Sequence, residues 1–191
     1  MQAATVVRNA RKVAGLSQTQ LAERSGVAAS AISQIEAGKR NPSYETVTRL
    51  IASTGGQLVA VPTRIDTAAT IALQIAEDLR AGKQAYALRA FIQLNDNLCS
   101  VEGSTRLALC ITEPAPCGSK RWDAAIAGLV AYRLRQQGIS APAWANEPSR
   151  FLGKVWNISE GTYQFVVDVN DVPKEFLDRG TLVAARDLES V

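Results

Sequence analysis

Between Arg11 and Leu50 the chain reads RKVAGLSQTQLAERSGVAASAISQIEAGKRNPSYETVTRL. Its apolar residues recur at helical spacing, but glycines cut the pattern into segments of only two or three turns. Such segments are too short to be stable alone, so they must fold against one another as a small helical cluster. A first helix is predicted over about Ala4–Ala14, with Val6, Val7, Ala10 and Val13 at helical spacing. Gly15 ends it, since glycine enters the left-handed conformation at little cost. Ser17 and Gln20 make a capping-box pattern for a second helix, which Leu21 and Ala22 anchor and Gly26 terminates in a sharp turn. A third helix starts near Ala28 or Ala29 and stops at Gly38, with Val27, Ile32 and Ile35 facing inward. Ser43 caps a fourth that carries Val47, Leu50 and Ile51 and breaks at Gly55-Gly56.

Two short helices joined by a tight turn, followed by a supporting helix, form a helix-turn-helix. Its geometry projects the second helix of the pair toward a DNA major groove. In that reading Ala29, Ser30, Ser33 and Gln34 face outward, and their small or polar side chains permit close approach to base edges. Gln34 offers a donor and an acceptor suited to adenine, Ser30 suits several bases, and Ala29 suits a thymine methyl. Ser17 and Gln18 lie at the start of the second helix, where free amides and the helix dipole favour a phosphate. Lys39 and Arg40 follow the third helix and are assigned to the DNA backbone.

These residues resemble bacterial helix-turn-helix regulators of the Cro and phage-repressor type, the XRE class, over roughly the first sixty residues. The resemblance implies a five-helix-type N-terminal domain. It also implies that Glu36, just before the Ala-Gly-Lys step, pairs with Arg11 of the first helix in a structural role.

Charge follows the same division. Residues 1–62 hold seven Lys/Arg against three Asp/Glu, a balance of +4, while the remainder holds 14 against 15, within a total of +3. A positive balance suits a polyanion, and its modest size argues for a homodimer on a two-fold-symmetric operator of double-stranded DNA. The chain has no histidine, which removes histidine bases, Ser-His-Asp and Cys-His pairs, and His-metal triads. No phosphate-binding glycine loop appears, and Cys99, Cys110 and Cys117 lack metal spacing, so they read as reduced thiols. No catalytic residue, metal or cofactor is assigned. No stretch has the apolar length of a bilayer span or of a signal region, so a cytoplasmic protein without membrane contact is expected.

Beyond residue 62 the predicted fold is mostly helical with a few short strands, making the whole chain mainly α, with domains at 1–62 and 63–191. Gln57–Val61 suggests a strand or an extended linker. Amphipathic helices are predicted over residues 66–80, capped by Asp66 and carrying Ile71, Ile75 and Leu79, and over 83–98, carrying Leu88, Phe91, Ile92 and Leu98. Gly82 separates the two. A longer helix over about Lys120–Gln137 bears Trp122, Ile126, Leu129, Val130 and Leu134, preceded by a loop at Pro114–Gly118. Asn146–Leu152 reads as a short helix, Tyr163–Val169 as a strand or an extended segment, Pro173–Leu177 as a helical turn and Gly180–Ala184 as extended. Trp144, Phe151, Trp156, Tyr163 and Phe165 concentrate in this last part, as core or as a protein-binding surface.

The segments WDAAIAGLVAYRLRQQG, APAWANEPSRFL and PKEFLDRGTLVAARDLESV are similar to the C-terminal region of actinobacterial helix-turn-helix proteins that tend to be paired with nucleotidyltransferase-like toxins. The resemblance implies an antitoxin role, with a toxin protein held by the C-terminal domain. The expected function is thus a DNA-binding transcriptional repressor that is also the antitoxin of a toxin-antitoxin pair. The alternative is a stand-alone regulator whose C-terminal domain senses a small molecule, or an oxidant through its cysteines.

Overall fold

The computed structural model describes residues 3–58, 64–159 and 167–189. The chain divides into two compact units, Met1–Pro62 and Thr63–Val191.

The first unit consists of α1 (Ala3–Val13), α2 (Gln18–Ser25), α3 (Ala29–Glu36) and α4 (Tyr44–Ser53). Both sides of the capping box at α2 form: Ser17 Oγ accepts from Gln20 N at 3.1 Å, and Gln20 Oε1 accepts from Ser17 N at 2.8 Å. Gly26, with φ of 66°, closes α2 by donating its N–H to Ala22 O at 2.9 Å, a conformation that other residues adopt only with strain. α1 and α2 each pack on both α3 and α4. The core they share is Val7, Leu16, Leu21, Ile32, Ile35, Val47, Leu50 and Ile51.

Of the first helix's valines, Val7 is fully buried and Val13 exposed. Four helices lie among the described residues of this unit. Gln57 and Leu58 are not in the expected strand, which leaves the extended-linker alternative for them, and Val59–Val61 lie outside the described residues.

The second unit begins with a hairpin of α5 (Ala68–Arg80) and α6 (Gln84–Cys99), turned at Gly82. Thr67 caps α5, not Asp66: its hydroxyl accepts from Thr70 N at 3.2 Å. α7 (Gly103–Ile111) was not foreseen. Arg106 interrupts its apolar pattern, yet that arginine is buried and donates to Val101 O at 2.9 Å and Arg133 O at 3.0 Å. α8 (Lys120–Arg135) is buried around most of its circumference, with Ala124–Ala127, Leu129 and Val130 inaccessible. A helix apolar on all sides belongs at the centre of a domain, and α5, α6 and α7 pack on it.

The remaining described residues are largely irregular and pack on this helix. The helix expected over Asn146–Leu152 is two 3-10 turns, Ala143–Asn146 and Pro148–Arg150. Proline supplies no amide donor, so the second turn begins at Pro148 rather than extending the first. β1 (Trp156–Asn157) pairs in parallel with β2 (Thr181–Leu182), in the register Trp156 to Thr181 and Asn157 to Leu182. Between them α9 (Lys174–Leu177) sets Phe176 against α8. Of the expected strand Tyr163–Val169, residues 163–166 lie outside the described residues, and Val169 starts a 3-10 turn. Trp122 and Trp156 meet edge to face at 5.4 Å, and Trp144 donates its indole N–H to Cys110 O at 2.9 Å, so these tryptophans are core. Phe151 is 39% exposed.

Candidate nucleic-acid interface

α3 is eight residues long and its two faces differ sharply. Ile32 and Ile35 are buried, while Ser30, Ser33 and Gln34 are exposed and Ala29 is half-buried. The outward set therefore carries no bulky apolar group, and nothing larger than Gln34 stands between its backbone and an approaching surface.

What holds α3 in place is a carboxylate at its end. Glu36 is only 4% exposed. Its Oε1 accepts from Arg11 Nε at 2.7 Å, and its Oε2 accepts from Arg11 Nη2 and Gln18 Nε2, each at 2.9 Å. The pairing with arginine is thus bidentate, the geometry in which a guanidinium and a carboxylate match best. Arg11 Nη1 also donates to Leu16 O at 2.8 Å, and Arg8 donates to the Glu36 backbone carbonyl. One carboxylate so ties α1, α2 and α3 together. Burial opposes its charge, but the hydrogen bonds from Arg11 and Gln18 and the charges of Arg11 and Arg8 outweigh burial and hold it below the usual carboxylate range. The Glu36 hydrogen bond in turn holds the Arg11 guanidinium above its ordinary value, against burial.

Gln18 is placed at the start of α2, as the spacing implies, but its side-chain amide is engaged with Glu36 rather than free. What α2 offers an anion at that end is backbone: the Gln18 and Thr19 amides have no partner within the helix by its geometry. Ser17 is exposed, with its hydroxyl used in the capping box. Lys39 and Arg40 are exposed and follow Gly38, whose φ of 70° turns the chain back so that both their amides donate to Gln34 O, at 2.9 and 3.2 Å.

Two arginines escaped the sequence reading. Arg8 stands one turn from Arg11 on the same face of α1, a spacing that would have placed it beside Glu36. Arg49 of α4 shares with Arg40 a groove of about 400 Å³ between the Gly26–Ala28 turn and the start of α4. Only the packing of α4 against the pair reveals that second arginine.

This geometry agrees with what the chain is similar to. A helix-turn-helix family matches residues 7–59. The N-terminal unit is a helix-turn-helix domain of the XRE type. An uncharacterized HTH-type transcriptional regulator of Haemophilus influenzae is 43% identical over 58 residues, a stretch that is 30% of this chain and 59% of the relative. The chain thus spans less than two thirds of the curated relative it matches. No solved structure matches the chain. Among the described residues no helix is long and apolar enough to cross a membrane.

Proposed function

We propose that the protein is a sequence-specific transcriptional repressor that binds a two-fold DNA operator as a homodimer. The observation that carries this reading is the outer face of α3. Ser30, Ser33 and Gln34 are exposed there beside Lys39 and Arg40, while the buried Glu36 cluster fixes the helix from behind. Ala29, Ser30, Ser33 and Gln34 read base edges. Ser17, Gln18, Lys39 and Arg40 bind phosphates, with Gln18 acting through its backbone amide. Duplexes selected from a random pool, then titrated across salt, test these roles. Gln34→Ala should cost about 1–3 kcal/mol at its own base pair, and Arg40→Ala should lower the salt slope by about 1 on every sequence. Wild-type behaviour in both variants would remove these assignments.

The second unit carries the finer reading, that of an antitoxin. The similarity of residues 122–138, 141–152 and 173–191 to toxin-paired regulators supports it. A near-equimolar second protein, held in high salt on tagged full-length chain from its host, is the expected result; recovery of this chain alone overturns it. The redox form of the alternative would fall to the half-buried Cys99, because burial pushes the Cys110 and Cys117 thiols up to about 12. Such groups stay protonated and unreactive at neutral pH.

A further inference from the structure

Four of the 14 Lys/Arg between residues 63 and 191 are buried, so carboxylates outnumber cations among the side chains left outside the core of the second unit. One stretch departs from that balance. From residue 79 to residue 95, across the tip of the α5–α6 hairpin, the sequence holds Arg80, Lys83 and Arg89 and no Asp or Glu.

All three cations are exposed, as are Gln84 and Tyr86. Lys83, Tyr86 and Arg89 recur at every third residue and so share one stripe of α6. The Lys83 ammonium and the Arg89 guanidinium each stand 5.6 Å from the centre of the Tyr86 ring. An aromatic face attracts a cation without using its hydrogen-bond donors, and among the described residues neither cation has an ion pair. Arg80 Nε donates to Ala76 O at 3.2 Å within its own helix. Of the flanking anions, Asp78 is buried and accepts from Gln74, Glu77 is exposed on α5, and Asp96 comes seven residues after Arg89.

Two like charges held around one ring, with no carboxylate between them, repel until an anion joins them. A polyanion does so at both positions at once. The tip offers one aromatic ring and no exposed branched apolar side chain from Arg80 to Arg89, whereas a protein interface needs an apolar centre. A polar, positive surface is what a DNA backbone meets, and lysine, arginine, glutamine and tyrosine are all phosphate donors. DNA held by α3 also raises the effective concentration of phosphates around every other basic surface of the same chain.

We propose that the tip of the α5–α6 hairpin is a second contact with duplex DNA, outside the base pairs read by α3. Lys83 and Arg89 bind backbone phosphates there, and the Tyr86 hydroxyl donates to a backbone oxygen. This rests on the reading of the chain as an operator-binding protein.

Salt titration of the full chain on three duplexes tests it. The first is an operator selected from a random pool and trimmed to the base pairs it needs. The second is the same operator with two further helical turns, about 20 base pairs, on each side. The third is a random duplex of that greater length. In Lys83→Gln/Arg89→Gln the slope of log K against log salt should fall by about 1.8 per bound chain on both long duplexes and stay unchanged on the trimmed one. Tyr86→Phe keeps the ring and should weaken both long duplexes about fivefold at unchanged slope. Thermal unfolding checks that each variant folds. A natural chain that selects no sequence would refute base reading by α3, and the random duplex would still decide the role of the tip. Unchanged slopes on both long duplexes, or an equal fall on the trimmed one, overturn the proposal. So does unchanged DNA binding in a double variant that no longer retains an acidic protein, which would make the tip a protein-docking face.

Discussion

The two units use charge in opposite ways. In the helix-turn-helix domain the buried ion is an anion, Glu36, and the cations Lys39, Arg40 and Arg49 stay on the surface. In the second unit the buried ions include four arginines, Arg106, Arg133, Arg150 and Arg179. These donate largely to backbone carbonyls: Arg133 to Leu188 O, Arg150 to Pro114 O at 3.0 Å, and Arg179 to Ala145 O. A guanidinium with five donors satisfies carbonyls of irregular chain that have no ladder or helix to join. Four of the second unit's cations thus act inside it, holding irregular chain and the C-terminal turn in place. Counting lysines and arginines says little about a partner until it is known which ones reach the surface.

If the units are held together so differently, they should also fail differently. Ile32→Ala empties the centre of the small apolar core shared by α1–α4, and should destabilise that unit by about 2–5 kcal/mol. Gly128→Ala acts at the other centre. A Cβ there would stand 2.7 Å from Phe176 Cδ1 and 3.1 Å from Cε1, so α9 must shift from α8 at a cost of about 1–3 kcal/mol. Hydrogen exchange resolved by residue checks both. Protection should fall in α1–α4 alone for the first variant and in the α8–α9 region for the second. Equal loss in both units from either change would break the contrast and make the chain one cooperative body.

Legibility in the sequence differed between the units for the same reason. In the first, local signals and packing agree. Ser17, Gln20, Gly26 and Ser43 cap the helices where the spacing places them, and apolar periodicity separates Ile32 and Ile35 from Ser30, Ser33 and Gln34. The Arg11–Glu36 pair followed from resemblance. What that could not give is that Gln18 joins the pair through its side chain, because the contact spans 18 residues and depends on how α2 crosses the end of α3. In the second unit α5, α6 and α8 are legible from their apolar stripes. α7 is not, since Arg106 reads as a surface residue until its carbonyl partners are seen. The parallel pairing of β1 with β2 joins residues 25 apart and only two residues long, too brief for alternation to register.

The finest test of the contrast is titration of the one buried carboxylate that pins the helix-turn-helix. Glu36 is held below the usual carboxylate range in the folded domain, whereas in the unfolded chain it titrates near about 4.3. Above that unfolded value both states are ionised and the full contribution of the Arg11–Gln18–Glu36 cluster is present. As pH falls, the unfolded chain takes up its proton first, so stability is lost until the folded carboxyl also protonates at its lower value. Glu36→Gln keeps the shape and one acceptor but removes the charge. It should therefore destabilise the domain at neutral pH by less than either packing change, and the gap to the natural sequence should close as pH drops into the acid range. Denaturant midpoints for α1–α4 at about pH 7 and about pH 3 measure it. A gap that stays constant would mean that the shape of Glu36, and not its charge, holds α3 in place.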